Sequence, residues 1–229
     1  MNSKCRECGK EYDSKDLAFA SGIWSYSFCS ERCMQKAGKR IKREERIRRY
    51  IDKKLECIED GLLPHFFYGH IAATEQQTPA LKQAIYTDAC MWIYGKTGRG
   101  KSYLARLIIQ DHLSWGKRCA FETAENLFGL EKLYEKRKYI PVLCIDDIDK
   151  ANYSEFVAAM LHDCLTFREQ AKLQTIVTCE YDIKTFCEKL IEKTNGAYGQ
   201  STLQRLNACG QRVDFHMEGE NLRSKGYSS

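Results

Sequence analysis

The sequence predicts an α/β protein: a five-stranded parallel sheet between helices, with a small cysteine-bearing module and a basic helix ahead of it. Three observations carry this. A glycine-rich loop, Gly95-Lys96-Thr97-Gly98-Arg99-Gly100-Lys101-Ser102, is entered from the apolar run Cys90-Met91-Trp92-Ile93-Tyr94 and left through a helical stripe of Leu104, Leu107 and Ile108. A second apolar run, Ile140-Pro141-Val142-Leu143-Cys144-Ile145, ends in the acids Asp146-Asp147. Strand-like runs alternate with helical periodicities as far as His216, the pattern of strands joined by crossover helices. At 229 residues the chain holds one good-sized α/β domain and a small appendage, divided as 1–35, 36–60 and 61–229.

A glycine, four free positions and then Gly-Lys-Ser is the spacing of a P-loop. Its backbone N–H groups wrap nucleotide phosphates, and a Cβ at the glycines would obstruct that approach. Residues Gly95 to Ser102 are therefore the candidate phosphate cradle. Within it Lys101 meets the β and γ phosphates of ATP and Ser102 holds magnesium. The strand before Asp146 delivers its carboxylates to the sheet edge where the loop also lies. Asp146 is expected to help hold magnesium and Asp147 to polarise the attacking water, its arm one methylene shorter than a glutamate's.

At the front, Cys5 and Cys8 form one close pair and Cys29 and Cys33 another, so that four thiolates can surround one tetrahedral zinc ion. Unliganded thiols or a redox pair are the alternative. With Trp24, Tyr26 and Phe28 as its main large apolar side chains, this stretch has little core, and metal binding would supply most of its folding free energy. The other eight cysteines are scattered among apolar runs, where reduced thiols act as small hydrophobes.

From Met34 to about Asp60 one helix is expected, with Met34, Ala37, Ile41, Ile47, Ile51, Leu55 and Ile58 near one face and a break at Glu44 and Glu45. Residues 36–54 hold ten Lys or Arg against three acids, so +7 of charge sits there while the whole chain carries +5. Such a segment is either a solvated connecting helix or a contact for nucleic acid or an acidic partner. Gly61 and Pro64 end it. In the lead-in that follows, Phe66 and Phe67 either pack in the core or approach a nucleobase.

Downstream, Lys117 to Thr123 reads as a strand and Ala124 to Lys136 as a helix. Phe156, Met160, Cys164 and Phe167 give a core stripe, and Gln174 to Cys179 the next buried strand. Asp182 and Ser201 are expected as helix N-caps, Gly196 and Gly210 as helix ends, and Arg212 to His216 as the last strand. The five histidines lack ligand spacing. No run after Met1-Asn2-Ser3-Lys4 resembles a leader and none approaches a membrane-spanning length, so a cytoplasmic protein, bacterial or in a phage-infected cell, is expected.

Taken with Leu203-Gln204-Arg205-Leu206 and Gly219-Glu220-Asn221-Leu222-Arg223, these pieces resemble, in order and spacing, the AAA+ ATPases of the DnaC and DnaI type that load replicative helicases. IstB-type transposition helper ATPases share the same core. The resemblance covers roughly residues 61–225 and implies a P-loop NTPase sheet without a C-terminal lid. It implies Mg-dependent ATP hydrolysis, single-stranded DNA and a DnaB-type replicative helicase as partners, and a homo-oligomer formed on ATP binding. By the same resemblance Arg205 is an arginine finger acting on a neighbouring subunit's ATP, and Thr178 lies on the strand that senses the γ phosphate. Glu180 departs from the family's usual asparagine: its carboxylate must be paired, face away or weaken hydrolysis. The readings kept open are a helicase loader, a transposase helper, and an adaptor that ATP switches with little hydrolysis.

Overall fold

A computed structural model describes residues 2–13, 28–68, 90–194, 198–208 and 213–217. Trp24, Tyr26, Gly196, Gly210, Arg212, Gly219 to Arg223 and the question of a lid lie outside the described residues. The chain divides into two units, Met1–Arg49 and Tyr50–Ser229.

In the first unit, β1 (Asn2–Lys4) pairs antiparallel with β2 (Glu11–Asp13), Ser3 opposite Tyr12. The turn between them closes through Cys5 N–H to the Lys10 carbonyl and Gly9 N–H to the Cys5 carbonyl, both 2.9 Å. Gly9 there has φ 75°, a conformation a side chain would strain. Helix α1 runs Glu31–Glu59 and starts earlier than its apolar stripe predicts, because the Ser30 hydroxyl accepts the Cys33 N–H at 3.3 Å and caps it. The expected apolar face is covered only at its ends. Ala37 is buried with Cys5 and Phe28, and Cys57 and Ile58 are buried with Leu62, Leu63 and Phe67. Ile41, Ile47, Ile51 and Leu55 between them are exposed, and the basic residues that alternate with them keep those turns in solvent.

The second unit is built on continuous apolar runs, which suit strands covered on both faces. They form β3 (Met91–Tyr94), β4 (Cys119–Thr123), β5 (Val142–Asp146), β6 (Gln174–Cys179) and β7 (Val213–His216). The order is β4-β5-β6-β3-β7 and every pairing is parallel. The decisive feature is that β6 lies between β3 and β5, with Ile93 beside Thr178 and Ile145 beside Val177. The strand leading to the glycine loop and the strand ending in acids therefore flank one strand and open at one edge. Helix α2 (Lys101–Ser114) returns from β3 to β4, while α3 (Ala124–Gly129), α4 (Glu131–Arg137), α5 (Glu155–Gln170), α6 (Ile183–Lys193) and α7 (Gly199–Ala208) make the other crossovers. Right-handed crossovers place α2 on one face and the rest on the other.

Three local expectations change, and one left open is resolved. The helix expected over Ala124 to Lys136 is two helices, broken where Leu130 is extended at φ −129°. Phe156 leaves the core stripe and is exposed. The Ser154 hydroxyl accepts the Val157 N–H at 3.3 Å and sets the phase of α5, so that Leu161, Cys164, Leu165 and Arg168 face inward. Arg168, only 1% exposed, donates to the carbonyls of Lys138 and Ile140 (both 2.8 Å), to the Thr175 hydroxyl (2.9 Å) and to the Gln174 carbonyl. Ser201 lies inside α7 and donates to the Tyr198 carbonyl at 3.0 Å instead of capping, whereas Asp182 does cap α6, accepting the Thr185 N–H at 2.9 Å. Finally, Phe67 is buried core and Phe66 carries the Arg106 guanidinium 4.6 Å above its ring. Both pack on Phe121 of β4, the edge strand three places from β3.

Candidate nucleotide site and cysteine cluster

The glycine loop is shaped by close approach. The N–H of Met217, just past β7, donates to the Tyr94 carbonyl at 2.7 Å, which brings the Met217 carbonyl to 2.6 Å from where a Cβ on Gly95 would stand. Gly95, Gly98 and Gly100 have φ of 139°, 82° and 84°, conformations that side chains rarely adopt. Gly100 ends the loop at the start of α2 without a side-chain cap, leaving the positive end of a 14-residue helix open toward the loop. Lys101 is buried, its ammonium donating to the carbonyls of Gly95 (2.9 Å) and Lys96 (3.3 Å). Arg99 adds a shielded guanidinium nitrogen, Nη1, that has no hydrogen-bond partner among the described residues. Lys96 and Thr97 form the exposed tip. A cradle with a buried cation, an open helix end and an orphaned guanidinium nitrogen fits a phosphate chain.

Across β6 the acids meet this cradle. The Thr178 hydroxyl donates to Asp146 Oδ1 at 2.6 Å and accepts the Asp147 N–H at 2.8 Å. Burial pushes the Asp146 carboxyl above its usual range. Hydrogen bonds from Thr178 and Ser102 and the Lys101 charge oppose that rise, and neighbouring Asp147 adds to it. Lys101, Ser102, Asp146 and Asp147, widely separated in sequence, thus act on one another at a single edge. The Ser102 hydroxyl and the Asp146 carboxylate are oxygen donors suited to magnesium. Asp147 is half-buried and left-handed, at φ 51° and ψ 54°, a conformation aspartate tolerates better than most residues.

Sequence reasoning missed Asp149 and Lys150. They lie on the 3₁₀ turn Ile148–Lys150 directly after the paired acids, and a third acid followed by a lysine was the signal available. Asp149 Oδ1 accepts the Glu180 N–H at 3.0 Å, and Lys150 Nζ lies 3.0 Å from Asp149 and 3.3 Å from Glu180. The Glu180 carboxylate is therefore paired. Burial would raise the Asp149 carboxyl, but the Lys150 and Glu180 contacts outweigh it and hold the group below its ordinary value.

Arg205 is not brought to this edge within the chain. It sits on α7 with Nη1 3.6 Å from Glu169 Oε2, near the end of α5, where the helix approaches the start of β6. Arg223 lies outside the described residues.

In the first unit the Sγ atoms of Cys5, Cys8, Cys29 and Cys33 lie within 4.8 Å of one another, with Cys8–Cys29 at 3.5 Å and Cys29–Cys33 at 3.7 Å. Four sulfurs about 2.3 Å from a tetrahedral zinc stand roughly 3.8 Å apart, so the donor set and its spacing fit that ion. Glu7, between the first two cysteines, lies 3.6 Å from Lys36 and 3.5 Å from Arg40 and ties the knuckle to α1.

A glycine loop opening α2, a strand inserted between β3 and β5, and acids at the end of β5 define a parallel α/β fold of the P-loop kind. The sequence matches no family model and no curated protein. Among solved structures it is similar to DnaI, 15% identical over 69% of this chain and 89% of that one, with a TM-score of 0.54. It is also similar to the DnaC helicase loader, 16% identical over 64% and 93% at a TM-score of 0.50. To AMPPCP-bound DnaA from Aquifex aeolicus it is 18% identical over 71% of this chain and 53% of that one, at a TM-score of 0.50. At these identities the likeness establishes the fold. No helix among the described residues is long and apolar enough to cross a membrane.

Proposed function

We propose that this chain is a magnesium-dependent ATPase that binds single-stranded DNA and loads or remodels a DnaB-type replicative helicase at replication initiation. The observation that supports it most is the joining of the loop to the acids through Ser102, Asp146 and Thr178. In this reading the N–H groups of residues 96–100 and the Lys101 ammonium bind the phosphates, and Ser102 and Asp146 would hold magnesium, which supplies charge neutralisation when bound. Asp147 accepts a proton from the attacking water, and Thr178 orients both acids. Arg205, remote from its own chain's loop, serves a neighbouring subunit. The four cysteines hold zinc, and the zinc module with its basic helix contacts protein or nucleic acid. The protein is taken to work in the cytoplasm.

The test is copurification with a DnaB-type helicase and ATP turnover stimulated by single-stranded DNA; absence of both overturns the loader assignment. Filaments on target DNA without helicase binding would point to a transposase as the client. A second reading, an adaptor that ATP switches with little hydrolysis, is favoured by the short Asp147, whereas the pairing of Glu180 with Lys150 weighs against it. Asp147→Ala decides between them, since a switch keeps its function and a turnover machine loses it.

A further inference from the structure

Glu180 stands two residues past Thr178. It is the first residue beyond β6, the strand on which Thr178 meets Asp146. Its backbone is fixed from two directions. The Glu180 N–H donates to Asp149 at 3.0 Å, and the preceding carbonyl, of Cys179, accepts the Gly95 N–H at 3.3 Å. The glutamate is therefore held one residue from the mouth of the glycine loop. Asp146, Asp147 and Asp149 stand on the same edge, and a terminal phosphate entering there meets several negative charges. Lys150 is the group arranged against them. Its side chain is 49% exposed and retains freedom to turn, while Asp149, at 4%, anchors it and Glu180, at 33%, is its outer partner.

We propose that Lys150 is a positioning residue that makes the site prefer a nucleoside triphosphate to a diphosphate. Its ammonium, anchored on Asp149, screens Glu180 and shares itself with the terminal phosphate. A diphosphate ends one phosphate short of that point and feels Lys150 and Glu180 much less. This rests on the nucleotide reading above and goes beyond it by naming which phosphate is sensed and by which residue.

The experiment is calorimetric titration of the full chain with AMPPCP and with ADP, both with magnesium, for wild type, Lys150→Met, Glu180→Gln and the double variant. Lys150→Met is expected to weaken AMPPCP about fivefold and ADP less than about twofold, the size of one screened charge contact. Glu180→Gln strengthens AMPPCP several-fold, and in that background Lys150→Met costs clearly less than it does in wild type, because the charge that Lys150 screens is gone. Equal losses for both nucleotides, or single effects that simply add in the double variant, overturn the assignment. If Lys150→Met does not fold, an unchanged AMPPCP affinity in Glu180→Gln overturns it alone. Wild-type chain that binds neither nucleotide removes the nucleotide reading itself; wild-type binding that is indifferent to both substitutions removes only the role of Lys150.

Discussion

The two ends of this molecule hold their functional atoms in place by opposite means. In the first unit the buried apolar residues among those described are Cys5, Phe28 and Ala37, and the four sulfurs stand together beside them. In the second, Met91, Trp92, Ile93, Leu104, Ile108, Leu143 and Ile145 are fully buried around the sheet, and polar atoms are placed by strand register. On the zinc reading proposed above, the first arrangement needs its ion to be a structure. The second exists before any ligand arrives, because hydrophobic burial over a parallel sheet pre-positions Ser102, Asp146 and Thr178.

The contrast predicts the largest effect for metal removal. A strong chelator, or Cys5→Ser with Cys33→Ser, is expected to take stoichiometric zinc to about zero and make residues 1–35 susceptible to proteolysis. The sheet unit should keep its cooperative melting transition. Joint unfolding of both units would break the comparison.

Next is Lys101→Ala, which removes the cation from a finished cradle. Affinity for a fluorescent ATP analogue should fall at least about a hundredfold, or about 2.7 kcal/mol, while the melting temperature stays near wild type.

Asp146→Asn sharpens the point by separating stability from activity. Because burial raises the Asp146 carboxyl in the folded chain, its charge opposes folding once the pH rises through the unfolded value toward the folded one. At pH 7 the asparagine variant should melt higher than wild type and lose turnover. Below the pH at which the unfolded carboxyl protonates, the difference in melting temperature should vanish.

The smallest effect on the fold is expected for Arg205→Ala, whose half-exposed pair with Glu169 contributes less than about 0.5 kcal/mol. Turnover by the assembled protein should nevertheless be abolished, and mixing with Lys101→Ala subunits should restore part of it. No recovery in such mixtures excludes a finger acting across subunits.

Much of the candidate site could be read along the chain, since the glycine loop, the paired acids and the close cysteine pairs are local patterns written in neighbouring residues. Phe156 and Ser201 were misread because a stripe or a cap candidate alone does not set helix phase or start. The hydroxyl of Ser154 and the geometry at Tyr198 do. Arg168 was invisible for another reason: a buried guanidinium is tolerated only where carbonyls from Lys138, Ile140 and Gln174 converge, and no local pattern announces that.

The amino-acid order by itself determined that a glycine-rich loop, a carboxylate-tipped strand and two close cysteine pairs exist, because each is written in neighbouring residues. Only the tertiary structure decided that β6 lies between the loop strand and the acid strand, that Thr178 therefore bridges Asp146 and Asp147, and that Lys150 reaches Glu180. Those contacts join residues about thirty positions apart. They depend on strand order and register, which follow from how the whole core buries its apolar faces and not from any one segment.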